Sequence, residues 1–93
     1  MQRLTMFYLE SCPYCRNART ALDALRKVNS DYAAVEVEMI EESKQPEVAG
    51  RYDYYRVPTI YAGEEKLYEA KPFDSYDVIK DNLQAALDLA LER

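Results

Sequence analysis

The order of apolar and polar segments predicts an α/β fold in which one four-stranded mixed sheet is flanked by three helices. Two strand-like runs each precede a helix-like run, and a pair of short strands then precedes the last helix. The expected order is β-α-β-α-β-β-α, with the first three strands mostly parallel because right-handed crossovers join them, and an antiparallel strand at the edge. We expect residues 1–93 to form a single domain, since a chain this long supports one core.

The first half of the chain carries the two strand–helix units. Residues 3–9 are mostly apolar and are expected to form a buried strand. Pro13 suits the first helical position, where its missing N–H is not needed, and a helix is predicted over residues 14–28. The predicted apolar face of this helix consists of Ala18, Ala21, Leu22, Leu25 and Val28.

Shorter elements follow this helix. Residues 29–31 are expected to end it, and residues 35–39 alternate apolar and acidic side chains as a second strand does. Pro46 is expected to open a short helix over residues 46–53.

The second half predicts a hairpin and a final helix. A third strand is expected over residues 57–61, entered through Pro58, and a fourth over residues 66–69. Asp74 is the predicted N-cap of a last helix over residues 75–91. The predicted apolar stripe of that helix consists of Val78, Ile79, Leu83, Ala86, Leu87 and Ala90.

Composition excludes several classes of function. The net charge is −5 without a basic cluster, which argues against binding to nucleic acid or to an anionic membrane. No apolar run approaches the length that spans a bilayer, and the N-terminus lacks the apolar core of a signal peptide, so a cytoplasmic location is expected. A monomer is also expected. The absence of histidine excludes Ser-His-Asp and Cys-His catalysis and most zinc enzymes.

Both cysteines lie between the first strand and the first helix. Cys12 and Cys15 form a C-x-x-C pair, which near a β-α-β pattern is typical of redox sites. The free N–H groups and the dipole at the helix start favour the thiolate form of Cys12, and Arg16 and Arg19 add positive charge. We therefore expect Cys12 to be the attacking thiol and Cys15, one turn into the helix, the resolving thiol.

Two plainer roles for the cysteine pair are weak. A zinc site needs two more ligands, and the chain has no other cysteine and no histidine. A purely structural disulfide across two residues would close a very small loop and would stabilise little.

Residues 12–15, with the sequence Cys-Pro-Tyr-Cys, resemble the active-site tetrapeptide of dithiol glutaredoxins, and Val57-Pro58 resembles the cis-proline motif of the thioredoxin superfamily. The resemblance implies a thioredoxin fold and a thiol–disulfide oxidoreductase that reduces protein or mixed disulfides. It also implies that Pro58 lies against the two sulfurs and that the Val57 backbone pairs with an extended substrate.

Two departures from the glutaredoxin pattern concern glutathione. Leu9 stands where glutaredoxins usually carry a lysine for a glutathione carboxylate, and residues 68–73 contain no glycine where paired glycines are usual. Tyr14 matches the family's active-site tyrosine, and Arg56 or Lys71 are candidates for the missing positive charge. We expect no tightly bound cofactor, no metal, and a thioredoxin reductase in preference to glutathione as electron donor.

Two further interpretations stay open at this point. Some glutaredoxins carry a [2Fe–2S] cluster between two subunits with the help of glutathione, and Cys12 would be the ligand here; Pro13 inside the motif argues against this alternative. Tyr52, Tyr54 and Tyr55 either contact a partner protein or pack over a small core, and packing is favoured.

Overall fold

The computed structural model describes all 93 residues and contains four strands and four helices. The strands are β1 (Leu4–Tyr8), β2 (Val37–Glu41), β3 (Thr59–Ala62) and β4 (Glu65–Glu69). The helices are α1 (Pro13–Val28), α2 (Ser30–Ala34), α3 (Pro46–Ala49) and α4 (Tyr76–Glu92). One mixed sheet has the strand order β2-β1-β3-β4, which confirms the predicted four-stranded α/β fold.

The direction of β3 differs from the prediction. β1 pairs parallel with β2 but antiparallel with β3, which pairs antiparallel with β4. The expectation of three mostly parallel strands was therefore wrong, while the antiparallel edge strand is confirmed. The connection from β2 to β3, residues 42–58, contains only the four-residue helix α3 and does not return along the sheet. The chain therefore enters β3 from the end of the sheet where β2 finishes.

The two faces of the sheet bury different kinds of side chain. Leu4 and Met6 of β1 point into the main core beneath α1 and α4, whereas Phe7 points to the opposite face, as the period of a strand requires. The Phe7 ring lies 4.6 Å from the Tyr52 ring and 5.0 Å from the Tyr54 ring, between centroids. These two tyrosines pack, as the favoured interpretation expected.

A fourth helix was missed by the prediction from sequence. α1 ends at Val28, and Asn29 then caps α2 by accepting a hydrogen bond from the Asp31 N–H at 2.9 Å. Because α2 continues to Ala34, β2 begins only at Val37, two residues later than predicted. The third helix also stops at Ala49 instead of continuing to residue 53.

The start of α4 is one residue later than predicted. Ser75, not Asp74, is the N-cap, and its hydroxyl accepts a hydrogen bond from the Val78 N–H at 3.2 Å. Asp74 instead binds groups that precede it in the chain. Two residues of the predicted apolar faces, both near helix ends, are not buried: Val28 is 82% exposed and Val78 is 41% exposed.

The β3–β4 turn depends on a glycine. Only Gly63 and Glu64 separate the two strands, and Gly63 has a φ of 60°, in the left-handed region that favours glycine. None of the helices combines the length and the apolar composition that crossing a membrane requires.

Candidate dithiol active site

Cys12 lies at the junction between the central strand β1 and the helix α1. We define residues 9–16 as the α1 junction. Cys12 is the N-cap of α1, Pro13 follows as the first helical residue and is exposed, and the Cys12 carbonyl accepts the Arg16 N–H at 3.0 Å. No side chain caps the first N–H groups of α1. These N–H groups therefore favour a negative charge on the half-buried sulfur of Cys12.

Cys15 lies one turn deeper and is fully buried. Its sulfur accepts a hydrogen bond from the Leu9 N–H at 3.4 Å. The pKa of the Cys15 thiol is raised to about 12, and burial is the largest cause. A hydrogen bond with Cys12 and the charge of Cys12 also act to raise it, whereas the Leu9 N–H and Arg19 act to lower it. Both cysteines are free. Burial therefore keeps Cys15 in its thiol form.

The Val57–Pro58 segment meets the cysteines from the other side. The Val57–Pro58 peptide bond is cis, as the resemblance implied, and Pro58 is buried. The Cys12 thiol donates a hydrogen bond to the Val57 carbonyl at 3.8 Å, although the two residues are 45 positions apart. The Val57 N–H and C=O take part in no backbone–backbone hydrogen bond. The N–H is thus free to pair with another extended chain, and the C=O becomes free once Cys12 has lost its proton.

Glu69 holds the segment that ends at Val57. We call this segment, residues 53–57, the Tyr55 wall. One carboxylate oxygen of Glu69 accepts the N–H groups of Tyr55 and Arg56, at 2.7 and 2.8 Å. Its other oxygen pairs with the Lys66 ammonium at 2.7 Å. Burial acts to raise the pKa of Glu69, but Lys66 and the two N–H groups outweigh it and lower the pKa.

Prediction from sequence missed Glu69 because its backbone partners lie 13 and 14 residues earlier, and no local pattern marks it. The Tyr55 side chain is 91% exposed, so it does not share in the packing of Tyr52 and Tyr54.

A second wall is formed by residues 70–74, which we call the Phe73 wall. The Tyr14 hydroxyl accepts the Phe73 N–H at 3.0 Å. The Asp74 carboxylate accepts the Tyr68 hydroxyl at 2.7 Å and the Lys71 N–H at 2.9 Å. The hydrogen bond from Tyr68, followed by that from Lys71, lowers the pKa of Asp74. This role of Asp74 replaces the helix cap that the sequence predicted.

Phe73 has an unusual backbone conformation. Its φ is 70°, in the left-handed region, where a residue with a side chain costs about 1–3 kcal/mol. The ring is 94% exposed, so its burial does not offset this cost.

A groove of about 330 Å³ separates the two walls. Three residues that the sequence predicted for the site, Tyr14, Arg56 and Val57, line it together with Lys71, the second candidate cation. Its full lining is Leu9, Tyr14, Glu42, Tyr55, Arg56, Val57, Ala70, Lys71 and Pro72. No group of three or more Cys, Asp or Glu side chains converges to hold a metal ion.

A model of the glutaredoxin family matches residues 4–67, a range that holds both cysteines and Val57-Pro58. The chain belongs to the glutaredoxin family. The match ends before the Phe73 wall of this glutaredoxin-family chain. No curated protein matches the chain in sequence.

Solved structures resemble the whole of this glutaredoxin-family chain. A malarial protein shares 20% identity at a TM-score of 0.63, over 95% of this chain and 94% of its own. A point mutant of thioredoxin from Halobacterium salinarum shares 23% identity at a TM-score of 0.57, over 88% of this chain and 71% of its own. Thioredoxin 1 from Thermosipho africanus shares 15% identity at a TM-score of 0.60, over 94% of this chain and 96% of its own. These structures show that the chain has the thioredoxin fold.

Proposed function

We propose that this chain is a dithiol–disulfide oxidoreductase that reduces protein or mixed disulfides, with Cys12 as nucleophile and Cys15 as resolving thiol. The observation that carries the proposal is the difference between two free cysteines at one helix start. Cys12 is accessible beside Val57, whereas Cys15 is fully buried behind it with a raised pKa. Only the first sulfur is placed to meet a partner, and only the second is placed to attack the first.

The first step forms a mixed disulfide. The Cys12 thiolate attacks one sulfur of the partner's disulfide, the partner's S–S bond breaks, and the second sulfur leaves as a thiolate that takes a proton from water. The free N–H groups at the start of α1 stabilise the attacking charge. The N–H of Val57, and its C=O once the Cys12 thiol no longer donates to it, align the backbone of the partner beside Cys12.

The second step releases the reduced partner. Once Cys12 is bound in the mixed disulfide it has no charge, so two causes of the raised pKa of Cys15 disappear. The Leu9 N–H and Arg19 then favour ionisation of Cys15, whose proton passes to the departing sulfur. Cys15 attacks the sulfur of Cys12, and the products are a Cys12–Cys15 disulfide and a second partner thiol. The partner gains two electrons and two protons in all.

For the return of two electrons we propose a protein dithiol donor of the thioredoxin reductase kind. In support, the Phe73 N–H already occupies the Tyr14 hydroxyl, and Leu9 contributes an apolar side chain to the groove. Oxidised protein mixed with thioredoxin reductase and NADPH should be reduced faster than with millimolar glutathione. Faster reduction by glutathione would contradict this choice of donor.

Two cysteine variants test the main proposal. Cys12→Ser should abolish reduction of insulin disulfides, whereas Cys15→Ser should accumulate a mixed disulfide that mass spectrometry detects as an adduct on Cys12. Retained reductase activity in Cys12→Ser, or an adduct on the serine variant of Cys12, would show that the proposal is wrong.

A further inference from the structure

Phe73 presents an apolar ring to solvent from a backbone conformation that phenylalanine rarely adopts. The ring gains no burial, so packing does not hold it there. Hydrogen bonds hold the backbone instead: the Tyr14 hydroxyl accepts the Phe73 N–H, and the Asp74 carboxylate accepts the Lys71 N–H. A strained residue that is held in place while its side chain stays exposed indicates a contact made outside the chain.

Tyr55 has the same character on the opposite wall. Its N–H is bound by Glu69, while its ring is almost fully exposed and lines the groove. The neighbouring Tyr54 turns inward to stack on Phe7. Tyr55 lines the groove, whereas Phe73 follows Pro72, the last lining residue of the other wall, without lining the groove itself. Each wall therefore carries one aromatic side chain that the fold itself does not use.

The groove also carries two unpaired cations. Arg56 and Lys71 are exposed and line the groove, and neither side chain forms an ion pair. Glu69 is paired with Lys66, and Glu42, which accepts the Tyr54 hydroxyl at 2.7 Å, is the one carboxylate in the lining, against two cations. In a chain with a net charge of −5, this groove therefore offers positive charge to a ligand.

We propose that the groove docks an extended, disulfide-bearing segment of a partner protein whose reacting cysteine is flanked by one acidic and one aromatic side chain. The acidic side chain pairs with Arg56 and Lys71, and the aromatic ring packs between Tyr55 and Phe73. The backbone of the segment pairs with the free groups of Val57. This inference rests on the proposed function and names its class of substrate.

The test uses short peptides that each carry a cysteine in a mixed disulfide with thionitrobenzoate. The residues flanking the cysteine are Glu and Phe, Lys and Phe, or Glu and Ser. Stopped-flow absorbance measures the second-order rate constant for release of the chromophore by the reduced protein. Each rate with a variant is divided by the rate with the unmodified chain, so that the intrinsic reactivity of each peptide cancels.

Two variants remove the two contacts separately. The double variant Arg56→Gln with Lys71→Gln should slow the Glu/Phe peptide about tenfold at low salt and leave the Lys/Phe peptide unslowed. Phe73→Gly should slow both Phe peptides about fivefold and leave the Glu/Ser peptide within about twofold. Lys27→Gln and Val28→Ala, exposed substitutions at the far end of α1, are the matched controls and should change no rate.

Phe73→Gly also shows whether the Phe73 ring contacts the peptide or stabilises the fold. Glycine adopts the left-handed conformation without cost, so this variant should raise the midpoint of thermal unfolding while it slows the Phe peptides. A lower midpoint with slower release of all three peptides would assign Phe73 a structural role and overturn the proposal.

The remaining outcomes distinguish the two proposals. Equal ratios for all three peptides would overturn the docking inference and leave the dithiol chemistry standing. If the reduced protein released no chromophore from any peptide and did not reduce a small symmetrical disulfide, the proposed function would instead be contradicted. If oxidised glutathione reacts faster than the Glu/Phe peptide and slows in the double charge variant, the groove binds glutathione and the inference is wrong.

Discussion

The α1 junction and the two groove walls are built in different ways. The junction connects the central strand to a long helix, and its one buried residue, Cys15, is fixed by backbone hydrogen bonds and by its burial. The Tyr55 wall and the Phe73 wall contain neither helix nor strand, and the carboxylates of Glu69 and Asp74 hold them. The reacting sulfurs thus lie on the part of the fold that is hardest to deform.

This difference separates chemistry from recognition. Each buried apolar side chain beneath the junction contributes roughly 1.5–3 kcal/mol, and many of them act together. Each wall has less of this packing, chiefly Tyr54 on Phe7 and the buried Ala70, and depends more on a few hydrogen bonds to a charged group. These are worth about 1.5–3 kcal/mol each where they are shielded from water and less where exposed. We infer that the walls open at a lower free energy than the junction.

The largest effect should come from the packing beneath the junction. Leu22→Ala removes a buried side chain of α1 and should lower the free energy of unfolding by about 3 kcal/mol, because a cavity remains. Urea unfolding followed by circular dichroism measures this change. Val28→Ala, on the same helix but exposed, should change it by less than about 0.5 kcal/mol. Similar values for the two variants would contradict the assignment of the core.

Removal of the carboxylate that holds the Tyr55 wall should weaken binding of the partner and leave the reactivity of the Cys12 sulfur unchanged. Glu69→Ala should lower kcat/KM for a protein disulfide about tenfold, mainly through KM, because the Tyr55 and Arg56 N–H groups lose their acceptor. The alkylation rate of Cys12 by iodoacetamide should stay unchanged.

Two further variants of β4 control this comparison. Glu69→Gln keeps an oxygen acceptor and should recover part of the activity. Glu65→Ala breaks only the exposed ion pair with Arg93 and should have no effect on kcat/KM. A loss in Glu65→Ala as large as that in Glu69→Ala would show that the effect is not specific to the wall.

Acid should loosen the walls before the junction. The pKa values of Glu69 and Asp74 lie below their ordinary values, so their contribution to stability is complete above roughly pH 4–5. It is lost as the pH falls through the lower pKa values of the folded chain. Hydrogen exchange, corrected for the intrinsic rate at each pH, should therefore rise in residues 53–57 and 70–74 between pH 5 and pH 3 and remain slow in α1.

The Asp74→Asn variant tests whether the Asp74 carboxylate causes this dependence on pH in the Phe73 wall. Exchange in its Phe73 wall should no longer change between the two pH values, while its Tyr55 wall keeps the dependence seen in the unmodified chain. Equal acceleration of both walls and α1 on acidification would indicate global unfolding instead.

The smallest effect on activity should come from removal of the Tyr14 hydroxyl. Tyr14→Phe removes the acceptor of the exposed Phe73 N–H and should lower kcat/KM for a protein disulfide about twofold to threefold. The Phe73 amide should also exchange faster. Tyr76→Phe, which removes a hydroxyl without a hydrogen-bond partner, serves as the control. If both variants behave alike, the bond between Tyr14 and Phe73 does not order the wall.

The accuracy of the predictions from sequence follows the range of the interactions. The helix start at Pro13 was predicted correctly because a proline, a dithiol and an apolar face lie within one continuous stretch. The direction of β3 and the helix α2 were missed, since one depends on the path of a long connection and the other is only five residues long. Asp74 was misassigned because Ser75 beside it is an equally good cap.

By itself, the sequence determined the strand–helix junction, the dithiol within it and the family to which the chain belongs. These features depend on neighbours three or four residues apart in a helix and two apart in a strand. Only the tertiary structure decided that Val57 meets Cys12 and that Phe73 meets Tyr14, across 45 and 59 positions of the chain. Such contacts depend on which strands pair and in which direction, because side chains that far apart meet only after the strands between them have paired.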